Sequence, residues 1–521
     1  HFGIALVAQL VGGFDHAESH GGGDPGIIAE RSRHSGVRDS QMGSHIAHGA
    51  GRIAFHGAKV VQDQSLCNGC MRLCSALVCW LSIFEAEFLF SSAMRIAFRF
   101  LLFLVLLVTG LQAQTTRDYA VDLKADVSTT VPRITLSWSL RQAANISGQQ
   151  VFRRLKGESS WGTAIATLGV ADTSWADSTA LEAVEYEYWL KRTYSANSPS
   201  NPQGYTCAGV NVPVVEDRGK MLLVVDETML VPLGPEIEQL KRDLTADGAH
   251  FCSALEAFAD TKALIKAAYD ADPANVKMVY VLGHVPVPYS GSQAPDGHGN
   301  HSGAWSADGF YGDMNGAWTD TSINNTSSTE ARIHNIPGDG KLDQNVIPSA
   351  LELMVGRVDL ASMQRAPAST VSEATLLRRY LRKAHDFKTK QGAYSSIQRR
   401  VLIRDGFGYF SGENFMMTGW SWAFTGVGRP PEVTIDEAPS GNWWTHAAAN
   451  TYLLANGNGG GSYETCSSVG ATADFGRRPI RAAFVSLVGS AFGDGDVADN
   501  FMKAPRAGNA TGGGLGLRCF C

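Results

Sequence analysis

Two short runs of almost unbroken apolar residues, 220–226 (KMLLVVD) and 276–282 (VKMVYVL), constrain this chain more than any other feature. A strand with one wet face alternates apolar and polar residues. A strand buried on both faces does not, as in parallel sheets covered by helices. Between the runs, residues 235–247 carry Ile237, Leu240 and Leu244 at helical spacing, with Gly248 as a stop. A strand at 249–255 and a helix at 260–270 complete the interval. The alternation resumes with a helix at 372–389, a strand at 400–405, a helix at 413–424 and strands at 452–455 and 482–488. Residues 219–521 are therefore predicted to form a doubly wound α/β domain. In such sheets function collects beyond the carboxyl ends of the strands. That rule directs attention to Asp226, Gly283-His284, Asp405, Gly457-Asn458-Gly459 and Gly489-Ser490.

Residues 116–215 have a different rhythm. Short alternating segments at 119–125, 133–140, 149–155, 163–168, 185–192 and 205–212 are separated by Gly, Asn, Ser and Pro, which is the pattern of a small all-β sandwich. Within 133–140, Ile134, Leu136 and Trp138 share one face, so Trp138 is expected to anchor the core. Tyr186 and Tyr188 follow Leu181 by five and seven residues. The Trp138 strand and the place of Tyr186 resemble a fibronectin type III domain over about 95 residues, with Tyr186 at the tyrosine corner. That resemblance implies a spacer or binding module.

Ahead of both domains, Met94 to Ala113 reads as a Sec-type signal peptide. Met94, Arg95 and Arg99 give a basic start, 100–108 is an apolar run, and Leu111-Gln112-Ala113 supplies a cleavage point before Gln114. The run is well short of the roughly 20 residues a membrane helix needs, so no transmembrane span is expected after signal removal. Export to the medium or the cell surface follows. Residues 1–93 hold seven of the 14 His and four of the nine Cys, start with His1 and lack sustained periodicity. They are read as non-native, disordered upstream translation. Cys67, Cys70, Cys74 and Cys79 have no second CxxC or His pair at zinc spacing. The apolar end, 512–521, reads as a domain cut short. A net charge of −6 without a basic stripe excludes nucleic acid as the main partner, leaving protein or polysaccharide ligands outside the cell.

Two loops could bind metal. His284, His298, His301, Asp308 and Asp313 crowd one Gly- and Pro-rich segment, either as a site for a metal-dependent hydrolase or as a long ordered loop. Asn335, Asp339 and Asp343 place oxygen atoms around glycines, as calcium would require, although an Asp-Gly turn explains them equally.

Taken in order, Tyr280–His284, Asp308-Gly-Phe-Tyr311-Gly-Asp313, Val355-Gly356-Arg357-Val358-Asp359 and the helix carrying Leu376, Tyr380 and Leu381 resemble gingipain-type cysteine peptidases, which share the caspase-like fold. The resemblance covers about 300 residues from Lys220 onward. It implies a His at one strand end as general acid/base and a Cys nucleophile at the next. At those positions this chain has Asn458 and Ser490, so the resemblance implies a pseudoenzyme. Cys466 with His446 or His284 is the alternative for an active secreted cysteine endopeptidase.

Overall fold

The computed structural model describes residues 116–140, 146–194, 201–256, 261–295, 297–365, 371–407, 419–508 and 518–520. The signal-peptide reading, the Cys67–Cys79 spacing and most of the chain end lie outside them. Among the described residues no helix is long and apolar enough to cross a membrane.

Seven strands come first: β1 (Lys124–Ser128), β2 (Arg133–Ser137), β3 (Ile146–Leu155), β4 (Ala166–Leu168), β5 (Ser174–Asp177), β6 (Glu185–Tyr194) and β7 (Gln203–Gly209). They form two antiparallel sheets, β1-β2-β5 and β4-β3-β6-β7. Alternate residues of both sheets, among them Ile134, Leu136, Val151, Tyr188 and Leu190, enter one shared core together with Trp138. The Trp138 indole donates to Gln149 Oε1 at 3.0 Å, and Gln149 Nε2 donates to the carbonyls of Gly169 and Asp172. The Tyr186 hydroxyl accepts the Leu181 N–H at 3.2 Å.

The strand expected at 119–125 begins only at Lys124. Ala120, Val121 and Leu123 are buried, but they run irregularly beneath Gly204, where a Cβ would meet the Val121 carbonyl at 2.6 Å. The strand expected at 163–168 likewise starts late, at Ala166. β5 was not legible, because SWAD shows no usable alternation.

The remainder builds two parallel sheets rather than one continuous layer. The first contains β8 (Lys220–Val225), β9 (His250–Glu256), β10 (Val276–Leu282) and, after the hairpin β11 (Tyr289–Gln293) and β12 (Gly303–Ser306), β13 (Met354–Val358). Its order is β13-β10-β8-β9. The second sheet contains β14 (Arg400–Asp405), β15 (Thr434–Glu437), β16 (Tyr452–Asn458) and β20 (Ala482–Val488), with β21 (Arg518–Phe520) at its edge. Its order is β15-β14-β16-β20-β21. Between β16 and β20 three two-residue strands, β17 (Gly461–Ser462), β18 (Thr465–Cys466) and β19 (Gly470–Ala471), make a small antiparallel sheet.

Both parallel sheets wind alike. The second strand of each lies on one side of the first, and the later strands continue on the other. The order therefore reverses between β8 and β10, and again between β14 and β16. The apolar runs have a direct cause in this arrangement. Met221, Leu223 and Val225 of β8 face one core, while Leu222 and Val224 face another. Leu402 and the flanking Val401 and Ile403 divide β14 in the same way. The core behind Leu223 and Leu402 is continuous across both sheets and takes Leu376, Leu377, Tyr380 and Leu381 from the helix Glu373–Lys388. Ser372 caps that helix by accepting the Thr375 N–H. The helix Gly419–Gly426 begins later than the predicted 413, and residues 408–418 are outside the described set. The helix Trp443–Ala449 was not anticipated.

Candidate functional site

The winding of the second sheet brings Asp405, Asn458 and Ser490 to the carboxyl ends of β14, β16 and β20. Asn458 pairs in register with Val488, two residues before Ser490, so Asn458 and Ser490 lie at neighbouring strand ends. Asn458 is fully buried. Its Oδ1 accepts the N–H of Gly406 at 2.8 Å and of Phe407 at 3.4 Å, while its carbonyl accepts the Ser468 hydroxyl at 2.5 Å. Gly406 is needed for this clasp, since a Cβ there would lie 2.4 Å from the Asn458 carbonyl. The amide of Asn458 thus ties β14 to β16. It is placed as a structural clamp, and an amide cannot exchange protons near neutral pH.

Ser490 is half-buried and precedes Ala491, whose φ of 63° puts it in the left-handed region. That backbone turns the chain sharply after β20, as a nucleophile-bearing turn would. Yet among the described residues nothing hydrogen-bonds the Ser490 hydroxyl, and no base activates it. A serine hydroxyl without a neighbouring base is a poor nucleophile.

The alternative thiol fares no better. Cys466 sits in β18 with its side chain in the main core. Its Sγ lies 3.6 Å from the Ser468 hydroxyl, and among the described residues no His ring bonds to it. Burial pushes the thiol above its ordinary value, outweighing the opposing hydrogen bonds from Ser468 and Val469. His446 is half-buried in the helix Trp443–Ala449 and is not paired with Cys466. The structure does not assemble these two into a catalytic pair.

His284 is more interesting. It follows β10 at the reversal point of the first sheet, and its backbone N–H donates to Asp226 Oδ2 at 3.2 Å. Its Nδ1–H donates to Asp359 Oδ2 at 2.9 Å, and its Nε2 lies 4.0 Å from Asp496 Oδ1. Asp359 is buried and directly follows β13. Burial pushes its carboxyl up, but Lys503, 3.2 Å away, and His284 hold it below the usual range. The Asp359 contact was missed from sequence. β13 shows no unbroken apolar run, so the strand-end rule was not applied to it.

The rest of the polar loop is committed to structure. Asp308 holds Arg357 through two hydrogen bonds of 2.8 Å. Asp313 accepts the amides of Asn315 and Gly316, the Trp318 indole and the Ser349 hydroxyl. The His298 and His301 rings meet edge to face at 5.7 Å, and neither belongs to a three-residue ligand group among the described residues. The calcium reading of Asn335, Asp339 and Asp343 meets similar competition. Asn335 donates to the carbonyls of Gly291 and Leu342, and Asp339 pairs with Lys341 at 2.8 Å. Asp343 accepts backbone amides of Thr321, Ser322 and Ile323 and the Thr319 hydroxyl, and these donors hold its carboxyl far below the usual range. In the structure these side chains hydrogen-bond backbone groups and Lys341 within the loop.

The last region of the site joins the two sheets' loops. Asp494, fully buried, accepts Arg332 and, at 2.8 Å, the Tyr289 hydroxyl. Ser306 Oγ donates to the Gly493 carbonyl at 2.7 Å. The turn carrying Ser490 is thereby fastened to the β11–β12 hairpin.

No protein-family model matches the chain, and no curated protein matches it. Among solved structures, the Arg-specific cysteine proteinase gingipain R aligns with 58% of this chain at 12% identity and a TM-score of 0.37. The alignment covers 61% of that protein, less than two thirds of its length. Pectate lyase Pel3 from Pectobacterium carotovorum aligns over 20% of this chain and 33% of its own at 21% identity and a TM-score of 0.14. Pectate lyase PelI from Erwinia chrysanthemi aligns over 33% of this chain and 42% of its own, at 15% identity and a TM-score of 0.15.

Proposed function

We propose that this chain is an exported, non-catalytic binding or surface protein, built from a fibronectin type III-like sandwich and a gingipain-like domain of caspase type. The observation that carries this reading is the state of the two strand ends. Asn458 spends its side chain on the amides of Gly406 and Phe407, and among the described residues no base hydrogen-bonds the Ser490 hydroxyl. The Tyr186 hydroxyl bonded to the Leu181 N–H supports the sandwich assignment, because a tyrosine corner makes that bond to backbone a few residues upstream. Doubly wound halves fit the strand order of both parallel sheets. Protein or polysaccharide outside the cell is the partner class.

The test is reactivity. The native full chain is treated with a thiol-alkylating probe at neutral pH, and labelled positions are mapped by mass. Cys466 is expected to stay unlabelled until the protein is unfolded, because its thiol is buried and protonated. Rapid native labelling of Cys466 would revive the peptidase reading.

A further inference from the structure

Three side chains from distant parts of the chain meet at the reversal point of the first sheet: His284 after β10, Asp359 after β13, and Asp496 in the loop after β20. One ligand-type atom from each lies within 4.8 Å of the other two. Asp359 grips Nδ1 of the imidazole at 2.9 Å, and Nε2 is turned toward the half-exposed Asp496 carboxylate at 4.0 Å. Proteins prepare a histidine for a metal in this way: a carboxylate on one ring nitrogen fixes the tautomer and raises the basicity of the other.

The surrounding charge agrees. Asp226, Asp359, Glu373 and Asp496 border the ring. Lys503 compensates Asp359, and Arg357 is engaged by Asp308. Among the described residues no Lys or Arg forms an ion pair with Asp226, Glu373 or Asp496. Burial pushes the Glu373 carboxyl up, and the charges of Asp359 and Asp226 push it further, a direct sign of crowded negative charge.

We propose that this cluster binds one divalent transition-metal ion of the zinc class, with His284 Nε2 and the Asp496 carboxylate as direct ligands and Asp359 as the positioning residue behind the ring. Water completes the coordination. Two ligands on a tetrahedral zinc stand about 3.4 Å apart. The 4.0 Å separation closes with a shift of roughly half an ångström by Asp496, which is exposed and on a loop. His284 and Asp359 follow strands of the first sheet and Asp496 reaches them from the loop after β20; the proposal uses neither Asn458 nor Ser490, so it stands or falls independently of the reading above.

Calorimetric titration of the full chain with zinc chloride tests it. Other His and Cys residues of the chain will take up zinc, so the readout is the difference between variants. Wild type is expected to bind one equivalent more than His284→Ala and one more than Asp496→Asn. Asp359→Asn should weaken that equivalent about 10–100-fold. Circular dichroism checks that each variant is folded, and both direct-ligand changes are at exposed side chains. Magnesium should not compete, since it disfavours imidazole. Superimposable titrations of wild type and His284→Ala overturn the proposal. So does a loss seen in His284→Ala while Asp496→Asn binds as wild type does, because a lone surface histidine would then explain the zinc.

Discussion

Replacing Glu187 by Ala is expected to lower the stability of the sandwich by about 3–5 kcal/mol, a large share of what a domain of this size possesses. Glu187 and Arg154 are directly opposite on β6 and β3, and their side chains are 6% and 4% exposed. Arg154 Nε donates to Glu187 Oε2 at 2.5 Å, and the guanidinium lies 4.1 Å from the centre of the Trp161 ring. Removing the carboxylate alone leaves a charged group buried without its partner. The cost comes from that orphaned charge, and it does not measure the net worth of the pair. Glu187→Gln, which keeps an acceptor, should therefore cost less, about 1–3 kcal/mol. Denaturant unfolding followed by tryptophan fluorescence checks both values. A loss below about 1 kcal/mol for Glu187→Ala would mean that the ring face of Trp161 suffices to hold the guanidinium.

Trp443→Ala should cost a similar amount in the second sheet, about 3–5 kcal/mol. The indole is 1% exposed and packs against Trp444 at 4.9 Å and Phe475 at 6.3 Å. Its Nε1–H donates to the Asn456 carbonyl at 3.0 Å, two residues before Asn458. It lies 3.5 Å from where a Cβ on Gly457 would stand, so the ring supports the strand end that carries the clamp. The substitution opens a cavity and leaves a buried carbonyl without its donor. A thermal melt of the full chain should show the corresponding transition falling by roughly 6–20 °C. Trp443→Phe retains most of the packing but not the donor, and it should show a clearly smaller drop.

Strands buried on both faces were legible to the residue, as β10, β14 and β20 show, because only a parallel layer makes such runs. The helix Glu373–Lys388 was legible because Ser372 caps it and its apolar residues keep helical spacing. Short elements were not legible. β15 and the helix Trp443–Ala449 span four and seven residues and offer too few repeats to show a period. The β11–β12 hairpin hides in Gly and Ser. Its strand β11 also bridges to Leu342, in a loop far along the chain, through Ser290. The division into two sheets also left no local mark, since the central strands of both, such as β8, β10, β14 and β20, read alike as buried parallel strands.

The candidate site divides along the same line. Strand-end positions such as Asn458, Ser490 and His284 follow from the strand pattern and the rule for parallel sheets. What each side chain does there depends on contacts across the chain. The partner of His284 is 75 residues away, and the Gly406 amide held by Asn458 is 52 residues away. The oxygen-rich loop at 335–343 stays open to both readings because carboxylates that bind a cation and carboxylates that cap amides have the same spacing in sequence.

Turnover of an unfolded protein substrate by the purified full chain bears most directly on the claim that the two strand ends carry no working dyad. The substrate is followed by mass across pH 5–8, with and without reducing thiol, beside Ser490→Ala and Cys466→Ala. Wild type and both variants are predicted to be indistinguishable from buffer at every pH. Cleavage by the wild type that is lost in either variant would contradict the account.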